Sequence, residues 1–293
     1  MQGPEIIEQF RVGFRPNYIP QADEEEVFRQ AFQTKIPLIL KGPTGCGKTR
    51  FVEHMAYELG LPLVTVSCHE DLTASDLVGR YLLKEEQTVW QDGPVSLAVR
   101  YGAICYLDEI VEARNDTTVI IHSLTDDRRI LFIDKTGEVV RAHESFMMVM
   151  SYNPGYQNVV KDLKHSTKQR FAALLFENPD IETEVKIITS ESGLDEPRAR
   201  QLAEMGQKVR SLKGFGLEEG VSSRLLVYVG RLISAGLDPL TACRCAISQS
   251  LSDEEEIIAS VEDIARLHFG PAEPEPATAT AAATNDRQDG PST

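Results

Sequence analysis

The chain lacks any long apolar run. Its longest, such as 37–40 and 146–150, fall far short of the roughly 18 residues that a membrane-spanning helix requires, so no membrane segment is expected. No secretory leader is expected either: residues 1–14 mix Glu5, Glu8 and Arg11 into their apolar positions, with no apolar core followed by a small-residue cleavage site. A cytoplasmic protein is the expectation. Cysteine is scarce and odd in number, with five scattered residues at Cys46, Cys68, Cys105, Cys243 and Cys245, which suits reduced thiols better than a disulfide framework. Cys243 and Cys245 have neither a second pair nor a histidine close in sequence to complete a zinc site, and are expected as buried helix cysteines. Positive charge is also short. Lys plus Arg is 30 against 45 for Asp plus Glu, a net −15 with no basic segment, and that balance repels phosphate backbones and anionic membranes. Neither nucleic acid nor a membrane is expected as a partner.

What is present is a chain of 293 residues, 42% hydrophobic, long enough for one large domain or a domain with a smaller companion. Short apolar runs at 37–40, 61–68, 103–107, 146–150 and 171–176 alternate with stretches of helical period, the pattern of a buried parallel sheet covered by helices. From Asp180 onward the strand signals stop, and helices are expected near 180–191, 196–212, 222–235, 239–250 and 253–268. The fold class is therefore α/β with a helical region behind it: an α/β nucleotide-binding domain over 1–178, a helical lid over 179–270 and a disordered tail over 271–293, where no large apolar residue remains to bury. Two acidic runs, 23–26 and 253–256, fall at helix starts. Their charge suits the positive end of a helix dipole, and Ser252 with Glu255 has the spacing of a capping box. Residues 81–90 and 129–141 each place apolar flanks around a polar tip and read as β-hairpin insertions.

The chemistry begins at Gly42-Pro43-Thr44-Gly45-Cys46-Gly47-Lys48-Thr49, which satisfies G-x-x-x-x-G-K-[ST] directly after a strand and directly before a helix. Glycines let backbone N–H groups curl around phosphate oxygens, and the helix N-terminus adds positive partial charge beneath them. Lys48 supplies a point charge for the β and γ phosphates, and Thr49 offers a hydroxyl to Mg²⁺. Cys46 reads as a small residue that fits this loop. The strand ending in Ile104-Cys105-Tyr106-Leu107-Asp108-Glu109 carries two carboxylates that cannot ionise cheaply inside a sheet, so they should emerge at its C-terminal edge beside the phosphate loop. There Asp108 would hold Mg²⁺ and Glu109 would orient water toward the γ-phosphate.

With Asn153 just after the fourth strand, this set resembles the AAA+ ATPases, in which that Asn is the sensor-1 residue. The resemblance implies that Arg170, in Gln169-Arg170-Phe171, is an arginine finger given across a subunit boundary, and that Arg224, opening a lid helix after Ser223, is sensor 2. The two hairpins resemble those of the helix-2-insert and pre-sensor-1 clade and, within it, the MoxR group. The segments 108–114, 124–130, 151–156, 161–163 and 166–171 are similar to the CbbQ/NorQ branch, most of all to its CbbQ members. That resemblance implies an ATP- and Mg²⁺-dependent, ring-forming remodelling motor, usually a hexamer, working with a von Willebrand factor A partner. In CbbQ proteins the partner is CbbO and the client inhibited rubisco; NorQ proteins act with NorD in maturing nitric oxide reductase. The first hairpin, near 83–86, either faces the ring's centre or packs the ring surface. A DNA-processing AAA+ motor is disfavoured by the charge balance, and a scaffold without turnover is disfavoured by the complete set of Lys48, Thr49, Asp108, Glu109, Asn153 and Arg170.

Overall fold

The computed structural model of the protein describes residues 3–84, 86–154, 163–213, 217 and 219–270. Five strands build the central sheet: β1 (Leu38–Lys41), β2 (Leu63–Ser67), β5 (Ile104–Asp108), β8 (Met147–Tyr152) and β9 (Ala172–Leu175). Their order is β2-β5-β8-β1-β9, and every pairing is parallel. All five runs expected as strands are strands. Successive residues face opposite sides, so Leu38 and Leu40 enter one hydrophobic cluster and Ile39 enters the other; Ile104 and Tyr106 separate likewise from Cys105 and Leu107. A sheet covered on both faces reads as a continuous apolar run for this reason. β9 is the exception among the expected buried runs. Among the described residues it pairs only with β1, and Ala172, Ala173 and Leu175 are exposed.

Parallel strands end together. Lys41 stands opposite Tyr152 and Ser67 opposite Asp108, so the turns leaving β1, β2, β5 and β8 emerge along one edge. The helix Lys48–Leu59 follows β1 and buries Phe51, Val52, Met55 and Ala56 against the sheet. The three larger side chains each contribute about 1.5–3 kcal/mol when fully buried. The helix Pro94–Tyr101 covers the other face through Val95, Ala98 and Val99.

Both insertions are antiparallel hairpins: β3 (Gly79–Lys84) with β4 (Gln87–Asp92), and β6 (Ile130–Ile133) with β7 (Glu138–Arg141). They touch each other: Tyr81, packed edge-on against Trp90 within the first hairpin, donates its hydroxyl to the Lys135 carbonyl of the second at 3.2 Å. Leu83 projects outward, 78% exposed. Of the tip residues, Glu85 lies outside the described residues, as do 155–156 and 161–162 of the resemblance segments and the expected tail, 271–293.

Behind the sheet, the helices Ile181–Ser192, Glu196–Ser211, Ser223–Ser234, Pro239–Cys243 and Glu255–Phe269 share a separate hydrophobic cluster. Asp180, Asp195, Ser222 and Asp238 cap four of them by accepting from a backbone N–H three residues on, each cap adding about 1 kcal/mol. Three expectations change. The segment 239–250 is not one α-helix: a π-helical turn, Arg244–Ser248, interrupts it before Gln249–Leu251. Cys243 is buried, but Cys245 is exposed, because two residues advance a helix by about half a turn. The capping box at Ser252 does not form; Glu254 is the N-cap, and the Ser252 hydroxyl accepts from the Glu254 N–H at 3.1 Å instead. The first acidic run opens a helix as expected: Glu24–Thr34 carries Glu24, Glu25 and Glu26 in its first turn, and Glu24 is buried and accepts from the N–H groups of Gln21 and Ala22 and from the Tyr18 hydroxyl. No helix among the described residues is long and apolar enough to cross a membrane.

Candidate functional site

The loop 42–47 leaves β1 at the shared edge, and two glycines let it turn. Gly45 and Gly47 have φ of +72° and +103°, a region that L side chains resist. A Cβ at Gly45 would also stand 2.5 Å from Cβ of Ser222, the residue that caps the helix Ser223–Ser234 of the helical region, so the loop and that helix meet here. Gly47 is the N-cap of Lys48–Leu59, which aims the first free N–H groups of that helix at the loop's concave side. Lys48 is buried and its Nζ donates to the carbonyls of Gly42 and Pro43, both at 2.7 Å. The ammonium is thus held inside the loop's curl.

Asp108 ends β5 directly opposite. Its carboxylate accepts from the Tyr106 hydroxyl at 2.8 Å, from the Ser151 hydroxyl, and from the Thr49 hydroxyl at 3.3 Å. The Ser151 hydroxyl also accepts from the Glu109 N–H at 3.2 Å, which ties β8 to the turn after β5. Glu109 has a positive φ of 53°, uncommon for a residue with a side chain. Such strain of roughly 1–3 kcal/mol is characteristic of functional turns. Partial desolvation first, then the charges of Asp108 and Glu112, hold the Glu109 pKa above the ordinary carboxylate value, with Lys48 opposing them. Burial raises the Cys46 thiol, and Lys48 only partly offsets that, so Cys46 remains a thiol in the loop.

Asn153 follows β8 and donates through Nδ2 to the Thr44 hydroxyl at 3.5 Å and to the Glu219 carboxylate. Arg224 stands on the first turn of Ser223–Ser234 and lines the same cleft, about 540 Å³, as Thr44 to Thr49, Asp108, Glu109 and Asn153. Ten of the residues expected at the site, Thr44 to Thr49 with Asp108, Glu109, Asn153 and Arg224, are brought together. Arg170 is not among them. It sits after the short helix His165–Lys168, donates to the Ser166 carbonyl and does not line its own chain's cleft.

Other lining residues carry no local motif. Asn17, Tyr18 and Gln21 come from the segment before the first long helix, and Glu191, Tyr228 and Arg231 from the helical region. Tyr18 stacks on Phe51 and His54 at centroid distances of 5.3 and 5.4 Å. Glu191 accepts from Asn17, Arg50 and Arg231, joining the three walls of the cleft. Only the helical period of 222–235 and the acidic run that holds Tyr18 hinted at these contacts in the sequence. The set can hold a polyanion on the loop, place a hard cation between a hydroxyl and a carboxylate, and face both with a second carboxylate.

Comparison with known proteins agrees with this geometry. Residues 37–171 match the family model of the AAA domain (dynein-related subfamily), and residues 184–268 match that of the CbbQ/NirQ/NorQ C-terminal region. The chain is 55% identical over 265 residues to Protein CbbQ of Hydrogenophilus thermoluteolus, covering 90% of this chain and 99% of the relative. It is 56% identical over 255 residues to Protein NorQ of Paracoccus denitrificans, covering 87% and 94%. The denitrification regulatory protein NirQ of Stutzerimonas stutzeri is 51% identical over 255 residues, covering 87% and 93%. A P216G mutant of Thermotoga maritima RuvB superposes with a TM-score of 0.53 at 14% identity, covering 89% and 77%, a likeness of fold alone.

Proposed function

The chain belongs to the CbbQ/NirQ/NorQ family of AAA ATPases, and from that premise we propose that it is a ring-forming, hexameric remodelling motor that couples ATP hydrolysis to reactivation of inhibited rubisco, acting with a CbbO-like von Willebrand factor A partner. It is an ATPase, and AAA+ ATPases generally work as oligomers. The observation that supports the site assignment is the pairing of Thr49 Oγ1 with Asp108 Oδ2 at 3.3 Å, one residue from a lysine held within the phosphate loop. A hydroxyl and a carboxylate side by side are donors that suit Mg²⁺, which takes few protein ligands and shares the rest with phosphate oxygens. Bound there, Mg²⁺ supplies neutralisation of phosphate charge.

The loop 42–47 and Lys48 bind the phosphates, while Tyr106 and Ser151 fix the orientation of Asp108. Glu109 holds the attacking water and accepts its proton, and Asn153 helps place that water. Arg224 brings the helical region onto the nucleotide, so that hydrolysis moves that region against the sheet. Arg170, turned away from its own cleft, acts on a neighbour's γ-phosphate.

The second reading is a NorQ-like motor that matures nitric oxide reductase, favoured by the 56% identity to NorQ, which equals the CbbQ match within a percentage point. The deciding experiment incubates the protein and ATP with a CbbO-like partner and inhibitor-blocked rubisco, and in parallel with a NorD-like partner and immature nitric oxide reductase. Recovery of carboxylation supports the first reading; recovery of nitric oxide reduction alone replaces it with the second.

A further inference from the structure

Arg170 carries a long side chain on a short support. The preceding helix, His165–Lys168, has four residues, too few to hold itself together in water. The Arg170 N–H donates to the Thr167 carbonyl at 3.1 Å, its Nη1 donates to the Ser166 carbonyl, and its Nε is buried with no hydrogen-bond partner among the described residues. A guanidinium with an unsatisfied buried donor is held by its backbone rather than by an ion pair at that atom. The orientation of the arginine therefore depends on what fixes the turn.

Thr167 is the fixed point. It is 1% exposed, and its hydroxyl is hydrogen-bonded to Nε2 of His122 at 2.9 Å. His122 lies in the 3₁₀ turn Ile121–Ser123, between Ile121 and Leu124. Both neighbours are buried in the cluster that also holds Leu107 and Ile110, which flank Asp108 and Glu109. Burial first, then the charges of Arg170 and Lys164, lower the His122 pKa, with Asp126 opposing. The imidazole thus stays uncharged at neutral pH and adds no repulsion beside the guanidinium.

We propose that the His122–Thr167 hydrogen bond positions Arg170, so that the segment following a protomer's own acidic pair sets the aim of the arginine it offers to the next protomer. His122 and Thr167 are positioning residues and touch no nucleotide. The proposal rests on the reading of Arg170 as an arginine finger, and the test separates the two. ATPase kinetics, nucleotide affinity and ring assembly are measured for H122A, H122Q, T167V, R170A and the H122A/R170A double variant.

H122A and T167V should each lower kcat about 10-fold, as loss of alignment does, with KM for ATP within about 2-fold and assembly unchanged. H122Q, whose amide can still reach the Thr167 hydroxyl, should keep most of the rate. The double variant should be no slower than R170A, since a residue acting only through Arg170 has nothing further to lose. If R170A is slow while H122A and T167V turn over at the parental rate, or if the losses multiply, the positioning role is rejected and the finger stands. A rise in KM or loss of assembly in both H122A and T167V rejects it too. Should R170A itself hydrolyse at the parental rate, the finger reading has failed and the positioning role fails with it. T167V probes the same bond should H122A not fold.

Discussion

Glu109 combines two features that an ordinary solvent-facing carboxylate lacks: a left-handed backbone with φ of 53° and a pKa pushed above its usual value by partial desolvation, Asp108 and Glu112. Both suit a group kept for proton transfer rather than for solubility. Replacing it in E109Q should leave Mg-ATP binding in place and reduce turnover by roughly 10²–10⁴, the usual contribution of a general base; equilibrium binding of a fluorescent ATP analogue beside phosphate release checks both halves. The pH sign follows from the charges. The carboxylate works ionised, so a raised pKa cuts activity off on acidification earlier than an unperturbed glutamate would. Removing one of the charges that raises it, in E112Q, should move the acid limb of the kcat–pH profile to lower pH; a limb that stays put or moves up would mean that another group titrates there. At this scale the sequence was readable wherever the contact is local. Gly42 to Thr49 and Asp108-Glu109 announce themselves by spacing, whereas His122 meets Thr167, Asn153 meets Glu219 and Glu191 meets Asn17 across tens of residues with no periodic trace.

Among the elements, the helix Ser223–Ser234 decides where Arg224 points, and its first turn hangs on a buried ion pair. Glu184, 1% exposed, accepts both terminal nitrogens of Arg210, at 2.6 and 2.7 Å, and the Ser223 hydroxyl at 2.6 Å; Arg210 Nε also donates to the Val221 carbonyl. Four bonds thereby join three helical-region segments at the residue before Arg224. Truncating one partner leaves the other charge buried and unpaired, so E184A or R210A should destabilise the protein by about 3–5 kcal/mol, measured by denaturant unfolding. A loss below about 1 kcal/mol would mark the pair as peripheral. The elements themselves were largely legible. Five apolar runs are five parallel strands because a sheet buried on both faces needs no polar alternation. Their order, β2-β5-β8-β1-β9, was not legible, and neither was the exposure of β9, since position at the edge of a sheet leaves no mark in an Ala-Ala-Leu-Leu strand. The π-helical turn at Arg244–Ser248 and the missing capping box at Ser252 failed for a related reason. Tertiary packing of Ala246, Ile247 and Ile257 overrides local preference.

For the whole molecule, the cleft gathers the phosphate loop, the acidic pair, Asn153 and Arg224 from one chain but excludes that chain's Arg170. A site so built lacks the Arg170 guanidinium proposed to meet the charge that develops on the transferred phosphoryl group, and supplying it from a neighbour would make hydrolysis depend on assembly. Specific activity should accordingly rise with protein concentration until rings are complete, and fall again on dilution. The most direct measurement mixes two inactive variants. E109Q keeps a competent Arg170 but loses its own turnover; R170A keeps its own acids but offers no guanidinium. If each protomer's cleft is completed by the next, random mixed rings place an intact acid pair beside an intact arginine at about a quarter of the interfaces, and phosphate release should recover to about that fraction of the parental rate. A mixture as inactive as its two components, at concentrations where mixed rings are seen to form, would contradict the shared site.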